Sequence, residues 1–387
     1  MTPPLVAIVG AGLSGLVCAR VLQRHGVAVT VYERDATLDA RMQGGSLDIH
    51  SDTGQIALRE AGLYDDFARH THPGGEAMRV LDKRARVFID HDDDASGRPE
   101  IDRTVLRRLL VDSLEPGSIV WNTKVLAVHP SSPGHELSFA DGTSARADIV
   151  IGADGAWSRV RPFLTPTRPA YTGITVMEVR IDQANNRHAK ALALIGQGSL
   201  FALSDNKSIG GHGGDEITLG IGLRVAEDWV VSCGVDWTDS AAVRAMLLRE
   251  FWDWSGALTD LIRDSDDGIS PRPIYALPTG HRWEHTAGVT LIGDAAHLMS
   301  PFAGEGANLA LIDGADLARS IVTNDDLTEA IARYEERMFR RSAKSASASA
   351  RGLTMMFAPD SPRKMVSFFH RMHVVKTLVS PFRRVTA

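Results

Sequence analysis

Two stretches of this chain place glycines, carboxylates and helix starts at spacings that suit the binding of a dinucleotide. The first is Gly10-Ala11-Gly12-Leu13-Ser14-Gly15. In such a run the first glycine permits a tight turn, the second lets a pyrophosphate approach the backbone, and the third lets a helix pack closely on a strand. The helix start adds N–H donors and a positive dipole end. Glu33 follows 18 residues after Gly15, where a carboxylate can accept hydrogen bonds from a ribose diol. Glutamate followed by Arg34 leans toward FAD, although this spacing alone does not separate FAD from NAD.

The second stretch settles that choice in favour of FAD. Leu291-Ile292-Gly293-Asp294-Ala295-Ala296-His297 reads as a strand end that delivers an acid, followed by Ser300-Pro301-Phe302-Ala303-Gly304-Glu305-Gly306-Ala307-Asn308. Asp294 sits where a carboxylate can hold a ribityl hydroxyl. A helix beginning after Gly306 can stabilise negative charge on the N1–C2=O edge of a reduced ring. A third stretch, Asp154-Gly155-Ala156-Trp157-Ser158-Arg159-Val160-Arg161, follows another apolar run, and taken alone an Asp-Gly there is as readily a simple turn. His297 reads as a packing or backbone-bonding residue.

The elements that must position these groups are legible as hydrophobic patterns. Residues 4–9, 27–33, 147–152 and 288–293 are short apolar runs of the kind found in buried parallel strands. The first glycine run leads into a helix reaching about His25. Ile56–Ala68 and Ile101–Leu114 carry helical spacing, the latter with Arg103, Arg107 and Arg108 between its apolar residues. From about Thr165 to Thr286 the texture changes to short β-branched segments: Ile174–Ile181, Ser199–Leu203, Glu216–Val225 and Trp229–Val235. Turns are expected between them, notably at Gly210–Gly214. Leu327–Met356 reads as one long helix. The expected class is α/β: a Rossmann-like FAD-binding domain with an inserted, mostly antiparallel sheet domain and a long C-terminal helix. The expected division is 1–164 and 287–325 for the FAD-binding domain, 165–286 for the substrate-binding domain, and 326–387 for a C-terminal bridging helix and basic tail. The tail, with Arg363, Lys364, Arg371, Lys376, Arg383 and Arg384, reads as a basic amphipathic helix packed on the body.

Bulk properties exclude several other classes. A net charge of −6 argues against a nucleic-acid-coating surface. Two distant cysteines, Cys18 and Cys233, fit a reducing cytoplasm better than a disulfide-built scaffold. The glycine-interrupted apolar start is too short for a membrane span and lacks the basic lead-in of a signal peptide. There is no fixed-period repeat, and no cysteine–histidine spacing of the zinc-binding kind.

Together and in this order, the three stretches resemble the para-hydroxybenzoate hydroxylase-type flavoprotein monooxygenases, and within them the tetracycline-inactivating FAD monooxygenases. Supporting runs are Arg41-Met42-Gln43-Gly44-Gly45-Ser46-Leu47-Asp48-Ile49-His50 and Pro99-Glu100-Ile101-Asp102-Arg103. The likeness extends to about residue 350 and is thin between 165 and 285. It implies that Glu33 binds the adenosine ribose, that Asp48 and Arg103 contact FAD and Asp294 its ribityl chain, and that Arg41 lies where the family meets NADPH (or NADH); Gly10, Gly12, Gly15, Arg34, Asp154, Pro301, Gly304, Gly306, Ala307 and Asn308 complete the expected cofactor-binding set. It further implies that the reduced flavin and O2 form a C4a-hydroperoxide that hydroxylates an aromatic or polycyclic small molecule. The bond-making chemistry then belongs to the flavin, so no catalytic side chain and no metal are expected, and the enzyme is expected to be a cytoplasmic monomer. Two departures stand out: Glu305 replaces the family's usual glutamine, and Ser199 and Thr218 lie where substrate-contacting Arg and His are usual. A flavin oxidoreductase without oxygenation, or an FAD-containing drug-binding protein without turnover, are the alternatives.

Overall fold

The computed structural model describes residues 4–40, 45–71, 77–91, 97–196, 198–214, 216–363 and 365–367. The chain divides into two units. The first is Met1–Pro73, Gly97–Ala170 and Tyr275–Ala350; the second is Gly74–Ser96, Tyr171–Ile274 and Arg351–Ala387.

In the first unit, the strands Val6–Val9 and Ile149–Gly152 are buried along their whole length, which is why they read as unbroken apolar runs. They lie side by side in a five-stranded parallel sheet, ordered Val289–Leu291, Ile149–Gly152, Val6–Val9, Val29–Tyr32, Ile119–Val120. The ends of Val6–Val9, Ile149–Gly152 and Val289–Leu291 therefore meet at one edge of the sheet, and each feeds one of the three sequence motifs. The helix Leu13–Arg24 packs flush on the helix Gly306–Val322: a Cβ on Gly314 would lie 2.3 Å from the Ser14 carbonyl oxygen. Smaller sheets complete the unit, one pairing Ser46–Asp48 with Glu100–Asp102 and one formed by Val125–Pro130, His135–Phe139 and Ser144–Ala147.

The second unit is built on a seven-stranded sheet, ordered Ser270–Ala276, Ala170–Ile181, Ile217–Arg224, Lys207–His212, Ser199–Ser204, Met78–Leu81, Val87–His91. Met177, Val179, Ile181, Leu219 and Ile221 alternate onto its apolar face and share a core with the helices Ser240–Glu250 and Gly256–Arg263.

The expected α/β class, parallel sheet, separate and mostly antiparallel sheet, and long helix Leu327–Met356 are all present. Several local expectations differ. Trp229–Val235 is not a strand; Trp229–Ser232 is a turn of helix, with Trp229 packed against Trp237 at 5.8 Å between ring centroids. Gly210, Gly211 and His212 are not a turn but the end of the strand Lys207–His212. The hairpin turns instead at Asp205-Asn206, both at positive φ (52° and 61°), which suits a two-residue hairpin. Ile56–Ala68 is broken by left-handed Gly62 into Gly54–Ala61 and Tyr64–Arg69. The stretch Gly74–Ser96, placed by sequence with the first domain, belongs to the second unit, because Met78–Leu81 pairs in parallel with Ser199–Ser204. The expectations for Arg41 and for the tail at Lys364, Arg371, Lys376, Arg383 and Arg384 fall outside the described residues. Among the described residues, no helix is long and apolar enough to cross a membrane.

Candidate cofactor site

The three glycines of the first motif have different surroundings. Gly10 takes φ +106°, and a Cβ there would lie 2.5 Å from the Ala153 carbonyl oxygen. A Cβ on Gly15 would lie 2.2 Å from the Gly10 carbonyl oxygen. Both glycines are required by packing. A Cβ on Gly12 would meet nothing nearer than Ala153 O at 3.9 Å, so this glycine leaves open space beside the helix start. Leu13–Arg24 has no side-chain cap on its N-terminus. The intervening Ala11 peptide is gripped from both sides. Its N–H donates to Glu33 Oε2 at 2.6 Å, and its carbonyl accepts from Arg107 Nε at 3.0 Å. Glu33 Oε1 also accepts from Asp35 N at 2.9 Å, and Arg107 Nη1 donates to Leu38 O at 3.1 Å. Arg107 is only 2% exposed. The sequence reading singled out its neighbour Arg103; the available signal was that 107 shares a helix face with buried Leu110, three residues on.

The mid-chain motif joins the other two. Asp154 turns back on its own loop, accepting from Arg159 N at 2.6 Å through Oδ2, and burial pushes its carboxyl pKa up against the pull of those hydrogen bonds. The Ser158 hydroxyl accepts from the backbone N of Val160 and Arg161. The buried Arg161 guanidinium then donates to Ala156 O (3.0 and 2.9 Å), Ala295 O (2.8 Å) and Asp294 O (3.1 Å). Arg161, which sequence reasoning missed as a site residue, thus ties the Asp154 loop to the Asp294 turn.

At that turn Gly293 takes φ +60°, and a Cβ on it would lie 2.9 Å from Ser14 Oγ, so the first and last motifs touch. The Gly293 N–H donates to Asp313 Oδ2 at 3.1 Å. His297, 4% exposed, bonds the same oxygen through Nε2, and Arg341 Nη2 donates to Asp313 Oδ1 at 2.8 Å. Burial opposes charge on both members of the His297–Asp313 pair. Their mutual attraction outweighs it, raising the His297 pKa and, with Arg341, lowering that of Asp313. His297 is therefore a buried structural residue bonded to a side chain, not to backbone through its ring. Asp294 itself is exposed on the first turn of the short helix Asp294–His297.

Beyond it, Pro301–Ala303 forms a single 3-10 turn and Gly304 takes φ +69°. A Cβ on Gly304 or Gly306 would meet nothing within 4 Å, and Gly306–Val322 has no side-chain cap. Pro301 is exposed and Ala307 half-buried. Asn308 is fully buried and clamps two distant peptides, accepting from His50 N and donating to Asp48 O, each at 2.8 Å. Asp48 Oδ2 pairs with His50 Nε2 at 2.8 Å. Arg103 begins the helix Arg103–Asp112, half-buried, with its N–H on Gly45 O at 3.1 Å; Arg34 is exposed.

The residues present fit an extended, anionic dinucleotide. Two uncapped helix starts, each beside glycines whose missing Cβ leaves space, offer N–H donors for negative groups. An acid stands at the end of the second strand, and an exposed acid stands between the two helix starts in the chain. Fold and site together define a dinucleotide-binding protein of the doubly wound kind.

Comparison with known proteins names it further. Residues 5–199 and 280–342 match the family described as FAD binding domain. The monooxygenase asqM of Emericella nidulans is 30% identical over 423 aligned positions, which cover 91% of this chain and 95% of that one. Among solved structures, HpxO of Klebsiella pneumoniae with FAD and uric acid is similar in fold (TM-score 0.78, 20% identity, 95% and 92% coverage). So is the tetracycline destructase Tet(51) (TM-score 0.70, 20% identity, 98% of each chain). The chain belongs to the FAD-binding-domain family, as a flavoprotein monooxygenase of the aromatic-hydroxylase type.

Proposed function

We propose that this enzyme uses NAD(P)H and O2 to hydroxylate an aromatic or polycyclic small molecule, with tetracycline-like compounds the first class to test. The observation that supports the cofactor seat best is the contrast among glycines. Gly10 and Gly15 are closed by packing, whereas Gly12, Gly304 and Gly306 stand beside open space at two helix starts. In this reading Gly12 and the first turn of Leu13–Arg24 take the pyrophosphate, Glu33 the adenosine ribose, and Asp294 a ribityl hydroxyl. The amides at Gly306 and Ala307 favour negative charge at the ring. Asp48 and Arg103 complete the FAD contacts. Asp154, Asn308, Arg107 and Arg161 hold the backbone that presents them, and Arg34 and Arg41 serve the nicotinamide nucleotide. Bound FAD supplies the electron transfer and oxygen activation, while the chain orients the groups and keeps water out. The first unit is the FAD-binding domain and the second supplies the substrate-binding sheet. The substrate class draws on the fold neighbours: one carries uric acid in its structure and another is a tetracycline destructase.

The test is NADPH oxidation by FAD-loaded protein in air, with and without a tetracycline, with mass spectrometry under isotopically heavy O2. Substrate-stimulated oxidation and a product one heavy oxygen richer are expected. Stimulation by planar phenols but not by tetracyclines would sink only the substrate class. Oxidation that yields hydrogen peroxide alone, whatever compound is added, would refute oxygenation.

A further inference from the structure

His50 is buried, 4% exposed, with a carboxylate on either side of its ring. Nε2 is 2.8 Å from Asp48 Oδ2, and Nδ1 is 3.8 Å from Glu305 Oε2. Rigid elements fix this arrangement. Asn308 bonds the backbone on both sides of Ile49, and Gly54 packs so closely on it that a Cβ there would lie 2.5 Å from Asn308 Oδ1. Glu305 immediately precedes the helix Gly306–Val322, a position from which an acidic side chain can cap free amides. It makes no such bond and points toward His50. Its side chain is 31% exposed and that of Asp48 is 35% exposed, with His50 between them at 6%, so the row is open to solvent at both carboxylates. Three further charged groups among the described residues lie on the packed segments. Glu100, opposite Asp48 in the strand pair, takes the Ser46 hydroxyl at 3.2 Å; Asp52 is exposed and accepts from Thr53; Arg103 lies beyond Asp102.

We propose that Asp48, His50 and Glu305 form a proton-accepting row coupled to reduction of the bound FAD. The proposal rests on the FAD seat described above, with the flavin ring beside residues 304–307. Reduction by a hydride brings the ring two electrons and one proton, leaving it one charge more negative. Two carboxylates already stand nearby, so the added charge favours binding of one further proton. That proton is taken from water, is held on the His50 ring between the two acids, and returns to water when the flavin ring is reoxidised. Only N–H and O–H bonds form and break within the row. Glu305 acts through His50 and is a positioning residue.

The test is an anaerobic reductive titration of the FAD-loaded full chain in weak buffer, counting protons taken up per two electrons, alongside the flavin midpoint potential as a function of pH. The wild-type enzyme is expected to take up two protons per two electrons across the neutral range. Glu305→Gln and His50→Gln, the latter able to keep the Asp48 bond, are expected to take up one and to show a correspondingly shallower dependence of potential on pH. Fully loaded variants with the wild-type count would overturn the proposal alone. A wild-type chain that cannot be loaded with FAD would overturn the cofactor seat and this proposal with it.

Discussion

Replacing Gly12 and Gly15 separately by alanine distinguishes a glycine kept for the fold from one kept for the ligand. At Gly15 the new methyl would sit 2.2 Å from the Gly10 carbonyl oxygen, 3.1 Å from Ala153 Cβ and 3.2 Å from Ile8 Cγ2. The nearest neighbour is backbone and cannot swing aside. The cost belongs at the upper end of the overpacking range, about 3 kcal/mol. For a cooperative unit of this size that corresponds to a fall in Tm of roughly 6–12 °C. At Gly12 the methyl meets nothing nearer than 3.9 Å, and the backbone (φ −83°, ψ 178°) is one that alanine adopts without strain. The loss of a favoured N-cap glycine and the reduced freedom of the unfolded chain nearly cancel, so stability should stay within about 1 kcal/mol. The methyl would instead occupy the space assigned to the pyrophosphate. A clash plus weakened hydrogen bonds to a charged group amount to at least about 2.7 kcal/mol, or roughly 100-fold in FAD affinity. The assay is thermal unfolding of FAD-stripped protein, so that ligand linkage does not contaminate Tm, together with FAD titration by flavin fluorescence. Gly12→Ala that unfolds as early as Gly15→Ala, or that binds FAD as tightly as wild type, would refute the assignment.

Two buried cations and one buried acid carry the remaining predictions. In Asp313→Asn, His297 and Arg341 lose their shared partner, and breaking such a buried pair costs about 3–5 kcal/mol. The His297 pKa is raised in the folded state, so its contribution is fully present below the unfolded value of about 6.5 and is lost as pH rises through the folded value. The lowered Asp313 pKa removes its contribution only in acid, as pH falls through the folded value. The gap in Tm between wild type and Asp313→Asn should therefore be widest from roughly pH 4.5 to 6.5 and narrow above it; a gap that widens with rising pH across the neutral range would contradict the pairing. In Arg161→Met, the carbonyls of Ala156, Asp294 and Ala295 lose a planar donor, for an expected loss of about 3 kcal/mol in urea unfolding. Lysine cannot reproduce the fork, so Arg161→Lys should recover less than half of this; full recovery would show that charge alone matters.

What could be read in the sequence was what depends on local pattern. Buried parallel strands announce themselves as apolar runs, and the glycine motif with Glu33 has a spacing set by one strand–helix–strand unit. The helix Leu327–Met356 keeps its periodicity over its whole length. What could not be read depends on partners far away in the chain. Arg107 and Arg161 look like ordinary cations on helical segments, yet each inserts into backbone carbonyls of another segment. Their roles appear only once those carbonyls have positions. Composition also misled where packing overrules propensity. Gly210 and Gly211 suggested a turn, but a Cβ on Gly211 would lie 2.6 Å from Leu219 Cδ2, so glycine there serves strand packing. Val230 and Val231 suggested a strand, but neighbouring tryptophans hold a helical turn.

The same dependence on distant partners explains how precisely placed loops can be built from three separate segments. Ser14 is the meeting point: a Cβ on Gly293 would approach its hydroxyl to 2.9 Å, and a Cβ on Gly314 would approach its carbonyl to 2.3 Å. The first turn of the helix Leu13–Arg24 is thus fixed against the turn that carries Asp294 and against the body of the helix Gly306–Val322. Arg161 adds the mid-chain loop to the same turn, and Asp313 bonds that turn from beneath. The Arg161 and Asp313 bonds would each leave a polar group unpaired if one segment moved alone, and the glycine contacts leave no room for such a shift. Displacement of any one segment must therefore disturb the others, so the groups proposed to hold the two ends of FAD are mechanically coupled within the first unit. That is the property an enzyme needs when a negative charge arrives on the ring and the surrounding amides must already be in place.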